Sequence, residues 1–255
     1  MRKIVLRLFH DVMMCLVHLE RVPRPIVAMV AVIVSLVVTW FVYVPIHELL
    51  HAAGCVLSGG EVTRLEIAPQ YGGRLLAKYF SFVVAQSDYA GQLTGFTRDS
   101  DLIYLATDFG PYVLTVLVGI PLLRTCTRAW HPIRLGAGIV VGLAPLYNLF
   151  GDYFEMGSII ITRVATVVGL GSGPLAFGSL RSDDVFKLVD EIFTSPQTHA
   201  LSGAGDVAIA MGLVLLSFLL GIVLAFLTYA LGDLIATRIV WPTPPLPPVT
   251  RDIKR

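Results

Sequence analysis

Long uncharged apolar runs set the elements this chain should form. Residues 26–46 hold no charged side chain, which fits the ~20 residues a helix needs to cross a hydrocarbon core. Residues 102–123 carry a single charge, Asp108. Residues 135–151 carry none, and the apolar pattern continues past Asp152 and Glu155 to Thr162. Residues 207–232 again carry none. The expected fold is therefore an α-helical membrane protein, a bundle of four transmembrane helices at about 26–57, 102–123, 135–160 and 207–232. Residues 164–180 are also uncharged, but Gly169, Gly171, Gly173 and Gly178 favour a buried or re-entrant loop there. If that segment crosses, the bundle has five spans.

Between the first two spans the periodicity changes. Thr63, Leu65 and Ile67 alternate with Val62, Arg64 and Glu66, which is the period of a strand. Gly72-Gly73 follows, so 61–85 reads as a small membrane-associated β-hairpin. At the N-terminus, a helix over 2–21 places Lys3, Arg7, His10, His18 and Arg21 near one face. Leu6, Phe9, Met13, Leu16 and Val17 lie on the other. That pattern suits a helix lying in the membrane interface, or one packed on the rest of the protein. Five prolines between Trp241 and Val249 make the C-terminal end an extended arm.

Composition agrees with the pattern. The hydrophobic fraction is 55% and the charged fraction 15%, against about 25% charged in a typical soluble domain. Net charge is +1, so no bulk basic field exists to attract nucleic acid, and none is expected as a partner. Cys15, Cys55 and Cys126 are far apart in sequence and form no CxxC pair, so they read as apolar fillers.

One motif carries chemistry: His47-Glu48-Leu49-Leu50-His51. An i, i+4 spacing stacks both imidazoles on one helix face, where two nitrogens can share a zinc ion. Glu48 is placed to act as general base, then general acid. With six histidines in the chain, and as many glutamates, chance would produce this motif about 0.003 times per chain of this composition. Its position at the end of a span adds weight, because ionisable groups in membrane segments are costly and tend to be functional.

A catalytic zinc usually has three protein ligands, so a third is needed. Asp152, Glu155 and Asp108 are the candidates. At 1.5 Å per residue, His47 lies roughly 31 Å along its helix from residue 26, and Asp152 roughly 26 Å along a parallel span from residue 135. Asp108 enters from the other side, about 9 Å in from residue 102. Asp152 and Glu155 share a face at i, i+3. Depth thus favours Asp152 and leaves Glu155 and Asp108 open. Cys55 would lie about 12 Å from His47 along the axis, too far to join both histidines. Ser182-Asp183-Asp184 reads as a helix cap, and His131 and His199 carry no assignment.

The order His47-Glu48-Leu49-Leu50-His51-Ala52-Ala53-Gly54, Gly59-Gly60, Tyr71-Gly72-Gly73 and Gly110-Pro111 resembles the site-2 protease family of intramembrane zinc metalloproteases. The resemblance covers roughly residues 40–155. It implies a membrane metallopeptidase domain, which the apolar pattern extends over 25–235, after the interfacial helix over 1–24 and before the Pro-rich tail over 236–255. It implies Zn2+ held by His47, His51 and a later aspartate, with Glu48 catalytic. Asn148 and Asp152 stand where the family has its Asn…Asp-Gly ligand. The run Tyr147-Asn148-Leu149-Phe150-Gly151-Asp152-Tyr153 departs from the family's proline-rich Leu-Asp-Gly. The expected substrate is a membrane-spanning or membrane-adjacent segment, unwound and held by strand addition on the hairpin. An inactive scaffold of the same fold and a transporter with buried ionisable relays are the alternatives.

Of the 19 lysines and arginines, four spans put 12 on the side of the termini and 7 on the other. The positive-inside bias then places both termini in the cytoplasm of a multi-pass protein of the cell (inner) membrane. Its expected surroundings are lipid bilayer and substrate. A regulatory partner is not legible.

Overall fold

The computed structural model describes residues 2–168 and 204–240. It is mostly helical, with one small sheet. The helices are α1 (Arg2–Arg21), α2 (Pro25–Leu57), α3 (Gly73–Leu76), α4 (Asp101–Phe109), α5 (Tyr112–Leu114), α6 (Ile120–Cys126), α7 (Pro132–Gly142), α8 (Ala144–Tyr147), α9 (Asp152–Val168) and α10 (Ala204–Val240). The strands are β1 (Val62–Ile67), β2 (Val83–Val84) and β3 (Gly91–Phe96).

Among the described residues two helices are long and apolar enough to cross a membrane: α2, and Met211–Arg238 within α10. Their outward faces are apolar, as on α2, where Val30, Ile33, Val34, Val37 and Val38 are all about half exposed. The segment expected to span at 102–123 is bent by 49° between Asp101–Phe109 and Tyr112–Cys126, and counts as a third crossing only if that pair is one span. Pro111 supplies the cause, since it has no N–H to continue the ladder and its ring crowds the preceding turn. The continuous helix expected over 135–160 is divided into α7, α8 and α9. Leu143 and Asn148 leave helical geometry (ψ 6° and 16°) around a turn begun by Pro145, and Gly151 precedes the restart at Asp152. Of 164–180, α9 takes the part up to Val168, and 169–180 lie outside the described residues. So do Ser182-Asp183-Asp184, His199 and the tail beyond Val240.

The hairpin expected over 61–85 takes another form. β1 is present, but Gly72, at φ 83°, closes a 3-10 turn over Pro69–Tyr71, and the chain then makes one helical turn, α3. Arg74, Leu75 and Leu76 are good helix formers. β2 is two residues long and runs parallel to β1, with Leu65 opposite Val83. The antiparallel partner of β1 is β3, with Leu65 opposite Leu93 and Ile67 opposite Gly91. The order is β2-β1-β3. Gly91 and Gly95 lower the strand propensity of β3, which hides it from a pattern reading.

The chain forms two compact units, and α2 and α10 contribute to both. One unit comprises Met1–Thr39, Leu114–Gly142 and Tyr229–Arg255. Its helices approach closely through small residues: Gly136 sits on Ser35, and Gly119 on the backbone of Gly142. Here α1 buries Asp11, Met14 and Cys15, while Phe9, Met13 and Leu16 stay exposed. Asp11 accepts from Arg124 Nε at 2.7 Å, and Asp233 accepts from Arg124 Nη2 at 2.7 Å and from Arg7 Nη1 at 2.9 Å. The buried guanidinium is thus matched by carboxylates from two further helices, as a buried charge must be.

The other unit comprises Trp40–Val113 and Leu143–Thr228. Leu65, Ile67 and Val83 of the sheet pack with Ala52 of α2 into one core, flanked by Leu49, Val62 and Leu93. A Cβ at Gly54 would overlap the carbonyl of Ala106, and one at Gly110 the carbonyl of Leu50. Those two glycines let the backbones of α2 and α4 meet. Gly157 on Ser217 and Gly221 on Tyr153 do the same for α9 and α10.

Candidate metal centre

His47 and His51 lie on adjacent turns of α2, and both are buried. The helix stacks their rings, with centroids 4.8 Å apart and the Nε2 atoms 3.1 Å apart. Asp152 opens α9 and brings Oδ2 to 3.4 Å from His47 Nε2 and 3.5 Å from His51 Nε2. The two histidines and the aspartate form a group that could hold a metal ion.

The hydrogen bonds around the group fix which atoms face inward. His51 Nδ1 lies 2.8 Å from the carbonyl oxygen of Thr107. A carbonyl only accepts, so Nδ1 carries the proton and a neutral ring presents its Nε2 lone pair to the site. His47 Nδ1 is 2.9 Å from the hydroxyl of Tyr43, one turn earlier on α2. Asp152 Oδ2 accepts from the hydroxyl of Tyr112 at 2.6 Å. Every ligand atom is thus backed by an outer hydrogen bond, the arrangement that orients metal ligands. The spacing also fits. Bonds of about 2.0–2.1 Å at tetrahedral angles put donor atoms roughly 3.3–3.4 Å apart, and the three separations here bracket that value.

The group opens onto a cleft of about 740 Å³. Glu48 lines it beside His47 and His51, and so do Asp108, Asn148, Asp152 and Glu155. Of the three carboxylates weighed for the third ligand, only Asp152 meets both histidines. Glu155 accepts a hydrogen bond from Tyr104. Asp108 is buried on the cleft wall. Cys55 is turned away, its thiol 3.6 Å from the carbonyl of Glu61. His131 Nδ1 accepts from the amide of Ile133 at the start of α7.

One wall of the cleft is β3, through Gly91, Gln92, Leu93 and Phe96. A Cβ at position 91 would overlap the side chain of Glu48, so the glycine is what lets this strand begin against the glutamate. Among the described residues β3 pairs on one side only, with β1.

Sequence reasoning passed over Tyr43, Thr107, Tyr112 and β3. Tyr43 carried a usable signal, standing i−4 from His47 and so on the same face. Tyr112 carried none, because its reach to Asp152 is decided by the bend at Gly110-Pro111. No protein-family model, no curated protein and no solved structure matches this chain.

Proposed function

We propose that this protein is an intramembrane zinc metalloprotease that hydrolyses peptide bonds in membrane-spanning or membrane-adjacent segments. The observation that carries the reading is the convergence of His47, His51 and Asp152 on one point, with Glu48 lining the same cleft. Two imidazoles and one carboxylate are a catalytic zinc donor set, which leaves a position open for chemistry. The order of motifs along the chain, similar to that of site-2 proteases, supports the same reading.

His47, His51 and Asp152 would hold the ion, and Tyr43, Thr107 and Tyr112 orient those ligands. Bound zinc supplies Lewis acidity, which makes water more acidic and a carbonyl more electrophilic. Glu48 takes the proton from the attacking water onto its carboxylate as the water oxygen bonds to the acyl carbon. It then gives that proton to the amine as the C–N bond breaks. The products are one carboxylate end and one amine end, and Glu48 returns to its starting state.

A substrate helix must unwind before its amides are exposed. The side of β3 away from β1 offers such a segment a strand to pair with, next to Glu48. Strand addition was expected on a hairpin over 61–85; the strand that lines the cleft is β3. In the bilayer the chain would cross by α2, by the bent pair α4 to α6, by α7 to α9 as a divided crossing, and by α10. Backbone breaks at membrane depth are tolerated where they line a polar cleft, and the break at 148–151 does so through Asn148 and Gly151.

The test is metal content and cleavage in detergent-purified full-length protein. Wild type should carry about one zinc per chain, and His47→Ala should carry none. Glu48→Gln should keep its zinc and lose cleavage of a co-expressed membrane substrate by about 10²-fold or more. Zinc-free wild type, or Glu48→Gln cleaving at the wild-type rate, would overturn the proposal.

A further inference from the structure

The two histidines and the aspartate are not held alike. His47 and His51 sit in the interior of a 33-residue helix, which fixes their backbone from both sides. Asp152 is the first residue of α9 and follows the break at 148–151. Its carboxylate has two equivalent oxygens and can turn about its last bond. Something outside α9 has to choose which oxygen faces the histidines, and whether one or both do.

We infer that Tyr112 makes that choice, as a positioning residue that holds Asp152 as a one-oxygen ligand and keeps the fourth coordination position open. The inference rests on the metal reading above. The hydroxyl of Tyr112 donates to Oδ2 at 2.6 Å, the same oxygen that lies 3.4 and 3.5 Å from the histidine nitrogens. Tyr112 is itself unable to move far. It is fully buried, with its ring 4.5 Å from that of Tyr153, 5.9 Å from that of His47 and 6.3 Å from that of Phe109. Its backbone follows Gly110, which is seated on the carbonyl of Leu50, next to His51.

The hydroxyl does two things at Asp152. It fixes the carboxylate's rotation, so that Oδ1 is not swung toward the ion to chelate through both oxygens. It also draws charge from the liganding oxygen, and so tempers the metal–oxygen bond. Without it, Asp152 is free to bind through both oxygens and cover the position that water and the substrate carbonyl need. A buried phenol would in turn lose its own partner if Asp152 turned away, which couples the two orientations.

The test compares Tyr112→Phe with Tyr153→Phe in detergent-purified full-length protein. Tyr153 is equally buried, and its hydroxyl donates to Thr228 Oγ1 on α10. Zinc affinity is read by competition with a chromophoric chelator, and coordination by the visible spectrum of the Co(II)-loaded protein. Tyr112→Phe should bind zinc about 10- to 100-fold more weakly. Its cobalt bands should weaken as coordination rises from four to five. Tyr153→Phe should match wild type in both. Zinc affinity of Tyr112→Phe within about twofold of wild type, with an unchanged cobalt spectrum, overturns the inference. If Tyr112→Phe fails to fold, 3-fluorotyrosine placed at position 112 keeps ring and hydroxyl. Its fluorine resonance should move on zinc addition, and a resonance that stays still overturns the inference. Zinc binding in wild type and its loss in His47→Ala test the metal reading separately, and wild type that binds no zinc overturns both.

Discussion

On the zinc reading proposed above, Asp152 is the residue on which the centre turns, because two histidines alone would leave a catalytic zinc one protein ligand short. It faces competition from Glu155, one turn further along α9, and from Asp108 on α4. The geometry separates them. Asp152 Oδ2 is within 3.5 Å of both Nε2 atoms, whereas Glu155 is occupied by the hydroxyl of Tyr104. Asp152→Ala should therefore lose its zinc in a chelator wash that leaves Glu155→Ala and Asp108→Ala loaded. Zinc stoichiometry of the three proteins after the same wash is the measurement. A loaded Asp152→Ala beside an empty Glu155→Ala would move the ligand one turn along the helix. The histidines and Glu48 were readable from a five-residue motif, because helical spacing alone brings i and i+4 together. Asp152 was readable through depth and through the family order Asn…Asp, and the path assumed for the depth was a continuous helix from residue 135. The chain instead breaks at 148–151, yet α7 and α8 cover enough length to bring Asp152 to the histidines.

Elements meet at the centre only as closely as their backbones permit, and glycine decides that distance. Gly54 against Ala106 and Gly110 against Leu50 bring α4 onto α2, and this contact delivers the Thr107 carbonyl to His51. A methyl group at either position would meet backbone, which cannot turn aside as a side chain can. Gly54→Ala should cost about 1–3 kcal/mol of stability, the usual range for overpacking. It should also weaken zinc binding, because Thr107 is displaced from His51. Gly212→Ala on α10 meets nothing within 4 Å and should leave both properties unchanged. Thermal unfolding in detergent and chelator competition measure the two effects, and a Gly54→Ala protein as stable and as metal-tight as Gly212→Ala would refute the account. Such contacts explain which elements the sequence revealed. The unbroken apolar runs that became α2 and α10 announce themselves by composition, since lipid demands nothing more specific of a helix surface. The bend at Gly110-Pro111 and the division of 135–160 at Pro145 and Gly151 arise where those residues interrupt a helical ladder. A window of mean hydropathy averages such interruptions away. The two glycines of β3 hid it in the same manner, although pairing with β1 makes it a strand.

At the scale of the whole molecule, the proposed crossings assign each loop to one side of a bilayer or the other. Charge predicts which side more directly than geometry, because lysines and arginines near span ends resist translocation. Arg2, Lys3, Arg7, Arg21 and Arg24 precede α2, and Arg124, Arg128 and Arg134 lie between the second and third crossings proposed above. The segment from Val62 to Asp101, which holds the sheet, carries Arg64, Arg74, Lys78 and Arg98. The four crossings proposed above would put both termini on one side, and the larger share of positive charge predicts that side to be cytoplasmic. A cysteine introduced as Asp99→Cys, in a background with Cys15, Cys55 and Cys126 replaced by serine, should react with a membrane-impermeant thiol reagent added outside the cell. A reporter fused after Arg255 should behave as cytoplasmic. The two sites test different things. Asp99 follows a single long apolar helix, so its side depends only on α2 and the charges before it. Arg255 depends on every later crossing, including any made by 169–203. Labelling of Asp99→Cys only after the cells are opened would invert the protein. An exterior reporter with Asp99→Cys labelled from outside would keep α2 as placed and add or remove one crossing in the C-terminal half.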